Sequence, residues 1–343
     1  MTGEVRIKHE VLVSAVREIL AAEGVRPPLN NVESEVMAEA DLMGVPSHGV
    51  RMLPGLVKAF HEGRAKRDPQ LKLLRERSAT CVLDGDNGPG RYTSVQAMQH
   101  AVERAKIFGV GVCLATRVTH WGRAHAYACR AAQAGMIGLC TTNAMSSMLV
   151  PGSSRSVLGN NPLAIAVPRG LGRDPVVLDM AMSQAAVGKI GTYLREGKEV
   201  PLGWGLDSAG NPTHDPAAIL SSRKYLPMGE HKGAGLALMM ELLTAALAGG
   251  LLGFEIFRID RSTLDPGSSK LFVALDVEAF VERESFLRRL EEMLRYLRDS
   301  ADPEQEILYP GERGWRMRDQ YLTEGIPLHP EIASQLRAIG MSI

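Results

Sequence analysis

The stretch "GVGVCLATRVTHWGRAHAYACRAAQAGMIGLCTTN", residues 109–143, decides the fold. "GVCLATRV" reads as a strand, "THWGRAHAYACRAAQAG" as a polar turn feeding a packed helix of small apolar residues, and "MIGLCTTN" as a second buried strand. A dinucleotide fingerprint belongs at such a strand-to-helix turn, but GxGxxG starting at Gly109 needs a sixth-position glycine where the chain has Leu114. The glycines of "GDNGPG", residues 85–90, are spaced differently. The chain is therefore read as α/β without a standard Rossmann site.

Working outward, "LKLLRE" and "ATCVLDG" are strand candidates, followed by the loop "DGDNGPGRYTS" and the helix "VQAMQHAVERAKIFG". Downstream, "NPLAIAVP" and "DPVVLDMA" read as further buried strands, and "KLFVALDV" as a last one. The apolar run 236–254 carries Glu241 and ends on Gly249-Gly250, so it is expected to be a buried helix rather than a membrane span. In the charged helix 280–299, Phe280, Phe286, Leu290, Met293 and Leu297 are expected on the buried side. The tail, basic around Arg313, Arg316 and Arg318, is expected to fold back over a site.

The first 63 residues are helical in texture. A helix is expected over 7–23, with Ile7, Val11, Ala15, Val16, Ile19 and Leu20 on its stripe and Gly24 as its stop. A second opens with Asn30 as cap answered by Glu33, and "LPGLVKAFHEG" makes a third. Between the second and third lies "GVPSHGVRMLPG", which sets Ser47, His48 and Arg51 at a helix-to-helix corner.

Composition narrows the function. Lysine plus arginine (39) balance aspartate plus glutamate (39), so no global field recruits nucleic acid or an anionic membrane. The four cysteines form no CxxC pair and read as buried thiols of a reducing cytosol. The start, "MTGEVRIKHE", has no apolar signal core, and a cytoplasmic location is expected. His120 and His125 lie five apart, off a common helical face, and no HExxH, P-loop or GxSxG occurs; no metal site is expected. Three glycine-punctuated turns abut helix starts: "DNGPGRYTS", "THWGRAHAY" and "MGEHKGAG", with Arg123 and Lys232 beside two of them. Free amides and adjacent cations there suit a diphosphate. An imidazole such as His48 can move one proton near neutral pH, and a guanidinium such as Arg51 can grip a carboxylate. Adjacent residues rarely face each other, so Ser47 and His48 are not read as a nucleophile-base pair.

"PSHGVRMLP", "THWGRAHAY", "VLGNNPLAIAVP", "VVLDMAMSQAAVGKI", "LPMGEHKGAGLALMMELL" and "YPGER" together closely resemble, in order and spacing, the malate/L-lactate dehydrogenase-like oxidoreductases. These are unrelated to the Rossmann-type enzymes of the same names, and they include ureidoglycolate and sulfolactate dehydrogenases, diketogulonate reductase and cyclic imino acid reductases. The resemblance runs from about residue 5 to 335. It implies a fold with a largely antiparallel mixed sheet, an N-terminal helical region, helices packed around the cofactor domain, and a cleft for NAD or NADP completed across a homodimer. The domains it suggests are 1–75, helical with the Ser-His motif; 76–250, binding NAD(P); and 251–343, with a tail returning to the N-terminal part.

Carried over residue by residue, the resemblance implies His48 as proton donor in reduction with Ser47 as its hydrogen-bonding partner. His120, Trp121, Gly122, Arg123 and Ala124 fall where relatives line the cofactor, and some relatives suggest His120 as the acid. Asn160 matches a substrate contact, while Asp179, Met180 and Ala181, His231 and Lys232, and Gly311, Glu312 and Arg313 match further cofactor contacts. Two departures stand out. Relatives place a carboxylate-clamping arginine four residues after the histidine, where this chain has Met52, with Arg51 one place earlier and so turned by about 100°. The aspartate some relatives carry near Gly188 and Lys189 is absent. The expected reaction is hydride transfer between a nicotinamide and a small 2-hydroxy or 2-oxo acid; the alternatives are reduction of a cyclic imino acid, or a catalytically silent nucleotide-binding protein.

Overall fold

The computed structural model describes residues 5–259 and 267–342; the expected domains 1–75 and 251–343 extend over residues outside that description. Its centre is a seven-stranded sheet in the order β2-β3-β4-β10-β5-β6-β7. These strands are β2 (Lys72–Arg77), β3 (Thr80–Gly88), β4 (Val110–Val118), β5 (Met136–Thr142), β6 (Leu163–Val167), β7 (Val176–Met180) and β10 (Ser268–Asp276). Only β3 and β4 run parallel; every other neighbouring pair is antiparallel. The last of these strands in the chain, β10, lies in the middle and joins the two halves.

Helices α4 (Gly90–Phe108) and α5 (His125–Gln133) pack on the sheet through alanines, with Trp121, Tyr127 and Phe272 filling the space between. A separate apolar cluster holds the N-terminal helices α1 (His9–Ala22), α2 (Leu29–Leu42) and α3 (Leu53–His61). It also takes in the two-stranded pair of β1 (Val5–Ile7) with β11 (Ile326–Leu328), which brings the tail back to the start of the chain. A smaller layer is built from α6 (Val187–Arg195), α7 (Pro216–Ser222) and the short pair β8 (Gly205–Leu206) and β9 (Lys224–Tyr225). The remaining helices are α8 (His231–Glu241), α9 (Gly253–Ile259), α10 (Arg283–Asp299), α11 (Glu312–Glu324) and α12 (Pro330–Ala338). All four cysteines are buried and free.

Several expectations are corrected. Ile7 belongs to β1, and α1 turns Leu12 inward while Val11 stays exposed. Asn30 does not cap α2: its side chain donates to the Val25 carbonyl, and Glu33 is buried against Arg91 instead of closing a capping box. "DGDNGPGRYTS" is hardly a loop, because β3 runs to Gly88 through a bulge with Asp86 and Asn87 at positive φ, and α4 begins at Gly90. Phe280 lies before α10 and is exposed, as is Met293 on it, and Leu294 is the buried residue of the helix.

The run 236–254 is not a buried helix. Leu236, Leu238, Met239, Leu242, Leu243 and Leu247 are 38–62 % exposed, whereas Ala234, Ala237, Glu241, Thr244 and Ala245 face inward. The helix presents its small residues to the sheet and its large ones outward. No helix among the described residues is long and apolar enough to cross a membrane.

Candidate active site

The corner after α2 is two short 3-10 turns, Pro46–His48 and Val50–Met52. It is held by Asp41, whose Oδ2 accepts the Val50 N–H at 2.7 Å and lies so close to Gly49 that no side chain fits there. Burial pushes the Asp41 carboxyl up to about 7. The corner delivers His48 into the interior. Ser47 Oγ lies 2.8 Å from His48 Nδ1, so the two adjacent side chains meet within hydrogen-bonding distance, the contact that the family resemblance implies. A 3-10 turn allows it by folding the serine back over the ring's edge.

His48 stacks on His120 at 5.9 Å between ring centroids and 22° between planes. His120 comes from the turn between β4 and α5, and its Nδ1 accepts the Gly122 N–H at 3.1 Å. A neutral His120 therefore carries its proton on Nε2, the nitrogen left for other partners. Both rings are held neutral. Burial draws His48 down to about 4, with Arg91, Arg123 and Arg51 adding to the effect and Asp179 opposing it. Burial likewise pulls His120 well below the ordinary imidazole range, assisted by His48, Arg91 and Lys270.

Arg91 was not anticipated as part of this site. α4 starts where an added Cβ on Gly90 would strike the backbone carbonyls of Thr119 and His120, so its first turn presses on the histidine loop. Arg91 then donates to the His48 carbonyl at 3.2 Å and pairs with Glu33 at 3.4 Å, both side chains buried. Glu33 also accepts the Tyr92 N–H at 2.8 Å. The available signal was a carboxylate inside the apolar stripe of α2, beside Leu29, Val36 and Met37. Lys270, buried in β10 with Nζ 2.7 Å from Ser268 Oγ, was missed too, although it opens the strand "KLFVALDV".

Around this pair, Arg123 Nε donates to Asp179 Oδ2 at 2.8 Å, and the same oxygen lies 3.3 Å from the His125 N–H at the start of α5. Arg123 Nη1 is buried without a partner. Trp121 and Ala124 are buried in the core under the loop; Met180 ends β7 beside Asp179, and Ala181 follows. A buried guanidinium nitrogen without a partner beside the start of α5 fits the polar groups of a nicotinamide cofactor.

The other expected residues sit elsewhere. His231 and Lys232 are exposed at the first turn of α8, where the Lys232, Gly233 and Ala234 N–H groups are bonded to carbonyls of the preceding turn and the Lys232 ammonium is the group suited to phosphate. Gly311 packs on the Val177 backbone and the Pro310 carbonyl accepts the Val177 N–H, so the tail turn is sewn to β7. Glu312 is spent on Arg298, Arg316 and the Tyr309 N–H, while Arg313 is exposed. Asn160 contributes its carbonyl to the Met182 N–H, whereas the neighbouring Asn161 ties Ala144, Ala237 and Glu241 together. Arg51 lines a separate cavity, of which neither His48 nor His120 is a lining residue. Gly188 packs directly on Ser47, and Lys189 lies over the Trp204 ring at 4.9 Å.

Among the described residues no cluster of three or more metal-ligating side chains occurs. A model of the malate/L-lactate dehydrogenase family matches residues 7–337. The malate dehydrogenase of Pyrococcus horikoshii is 31 % identical over 99 % of this chain and 96 % of its own. The L-sulfolactate dehydrogenase of Methanocaldococcus jannaschii is 34 % identical over 97 % and 96 %. The solved structure of delta1-piperideine-2-carboxylate reductase from Pseudomonas syringae superposes with a TM-score of 0.88 at 27 % identity, covering 98 % of this chain and all of that one. With a family model spanning nearly its whole length, the chain belongs to the malate/L-lactate dehydrogenase family, oxidoreductases that work with a nicotinamide cofactor.

Proposed function

We infer that the protein transfers hydride between NAD or NADP and a small 2-hydroxy or 2-oxo acid, with His48 exchanging the proton and Ser47 orienting its ring. The observation that carries this is a pair of stacked, half-buried imidazoles held neutral in a field of positive charge from Arg91, Arg123, Arg51 and Lys270. Such a site favours an anion and holds the ring free of its proton until one arrives. The bound nicotinamide supplies or accepts the hydride. Trp121, Gly122, Arg123, Ala124, Asp179, Met180 and Ala181 would hold its reactive end, with His120 beside it, and the α8 start and the Gly311, Glu312, Arg313 turn would hold the rest.

In the oxidation direction neutral His48 accepts the hydroxyl proton through Nε2, its Nδ1 being engaged with Ser47. In reduction the negative charge of the substrate raises the ring's proton affinity, and the proton passes to the carbonyl oxygen. Asn160 is the neutral substrate contact in this reading. Arg51 is the expected carboxylate contact and reaches the substrate only by leaving the cavity it lines. Met52 in place of the relatives' clamp supports a second reading, a cyclic imino acid as substrate, in keeping with the likeness to the piperideine carboxylate reductase.

The exposed leucines of the 236–247 helix support a homodimer, since an apolar surface of this kind is unfavourable in water. The balanced charge is in keeping with a cytoplasmic enzyme of small acids. Nicotinamide fluorescence, followed with NADH and NADPH against a panel of 2-oxo acids and cyclic imino acids, tests the assignment. Oxidation with a 2-oxo acid is expected; binding without oxidation throughout would mean a silent nucleotide-binding protein.

A further inference from the structure

We propose that a cavity behind the Ser47–His48 corner is a binding site for a small oxyanion, a carboxylate or phosphate, held between Arg51 and Arg195. The cavity is about 400 Å³ and is walled by Asp41, Pro46 and Arg51 of the corner, Thr192, Arg195 and Glu196 of α6, and the 327–330 turn with Ile332. Two guanidiniums face one space. Arg195 bonds only within its own helix, donating to Thr192 Oγ1 at 3.0 Å, and Arg51 Nη1 is buried with no partner. Their mutual repulsion is visible in the Arg51 guanidinium, lowered first by burial and next by Arg195.

The acids around the cavity do not neutralise the pair. Asp41 already accepts the Val50 N–H and is drawn towards its neutral form by burial; Glu196 is engaged with Lys198 at 2.8 Å. Glu331, at the start of α12, and Asp41 act on Arg51 only from a distance, without an ion pair, and His329 Nδ1 accepts the Glu331 N–H. Two half-buried cations side by side with no counter-ion bonded to either are costly, and an oxyanion accepting from both guanidiniums removes that cost. The site touches the active centre through one helix face: Gly188 packs on Ser47, Thr192 Oγ1 donates to the Gly188 carbonyl, and Arg195 donates to Thr192.

Thermal unfolding of the NADH-saturated protein, titrated with inorganic phosphate or malonate against chloride of equal ionic strength, tests the site. Wild type should show a saturable rise in Tm with one of the two anions, and the stronger response identifies the ligand class. Arg195→Gln should raise the apparent dissociation constant about tenfold or more, and Arg195→Lys should restore part of it. His48→Ala should keep the rise. An undiminished rise in Arg195→Gln, its loss in His48→Ala, or no rise beyond chloride in wild type overturns the proposal. None of these outcomes bears on the hydride transfer, which the substrate panel decides separately.

Discussion

The imidazoles of His48 and His120 lie nearly parallel, 5.9 Å apart, yet reach that position from different parts of the chain and are anchored by different bonds. His48 Nδ1 meets Ser47 Oγ, while His120 Nδ1 accepts a backbone N–H in its own loop. The first ring is oriented by a hydroxyl that can itself turn; the second is fixed by a backbone bond within its own turn. His48→Ala should therefore lose roughly 10² to 10⁴ in kcat while keeping NADH binding. His120→Ala should chiefly weaken binding. A nearly full kcat in His48→Ala beside a dead His120→Ala would make His120 the acid.

The depressed proton affinity of His48 sets the pH profile. Its value near 4 belongs to the free protein, which governs kcat/KM. For oxidation the neutral ring is the reactive form, so kcat/KM should stay level down to about pH 5 and fall below it. For reduction the protonated ring reacts, so kcat/KM should fall about tenfold per pH unit above 4. An oxidation profile already falling at pH 6.5 would mean that the ring is solvated rather than buried.

Asp41 gives a stability signature of opposite sign to His48. Its folded-state value is raised from 3.8 to about 7, so between those pH values the folded chain holds a proton that the unfolded chain has released. Stability from this group is greatest below pH 4, falls as pH rises to 7, and is level above. The depressed proton affinity of half-buried His48, in contrast, costs the chain stability as pH falls from 6.5 towards 4. Asp41→Asn, whose amide oxygen can still accept the Val50 N–H, should gain on wild type by up to about 4 kcal/mol between pH 4 and 8. Urea unfolding at both ends of the range checks it; a constant difference would show that Asp41 is ionised throughout.

Much of this was legible in the sequence. Strands such as "GVCLATRV" and "MIGLCTTN" are marked by β-branched and apolar runs between glycines, and the missing sixth glycine at Leu114 correctly excluded the Rossmann turn. What failed were judgements of which side of a helix faces inward. Period alone cannot tell the core from a surface awaiting a partner, so the leucines of 236–247 were assigned to the interior and Phe280 and Met293 with them. The buried charges Glu33, Arg91, Asp41 and Lys270 were missed because each is satisfied by a residue distant in sequence or by a backbone group. The Ser47–His48 contact was legible only through the family resemblance, because whether two adjacent side chains meet depends on the 3-10 turn that carries them.

The outward leucines make their own prediction. Replacing Leu238 and Leu243, both exposed on the 236–247 helix, by aspartate should convert a dimer into a monomer on sedimentation. Unchanged mass would place the dimer contact elsewhere or show that the chain is monomeric.

Gly188 tests whether the serine is tuned by α6. An ideal Cβ on Gly188 would lie 2.5 Å from Ser47 Cβ and 3.2 Å from its Oγ, inside van der Waals contact. At this point bare backbone presses on the serine. Alanine is the better helix former by about 1 kcal/mol, so Gly188→Ala trades improved helix stability against a displaced Ser47. A shift of a few tenths of an ångström stretches the 2.8 Å bond to His48 Nδ1 and lets the ring rotate. Gly188→Ala should lower kcat about tenfold with the NADH dissociation constant unchanged, while Gly191→Ala on the same helix, which meets only Arg195 Nη1 at 3.6 Å, should leave kcat intact. Equal kcat in the two variants would show that His48 keeps its orientation without Ser47.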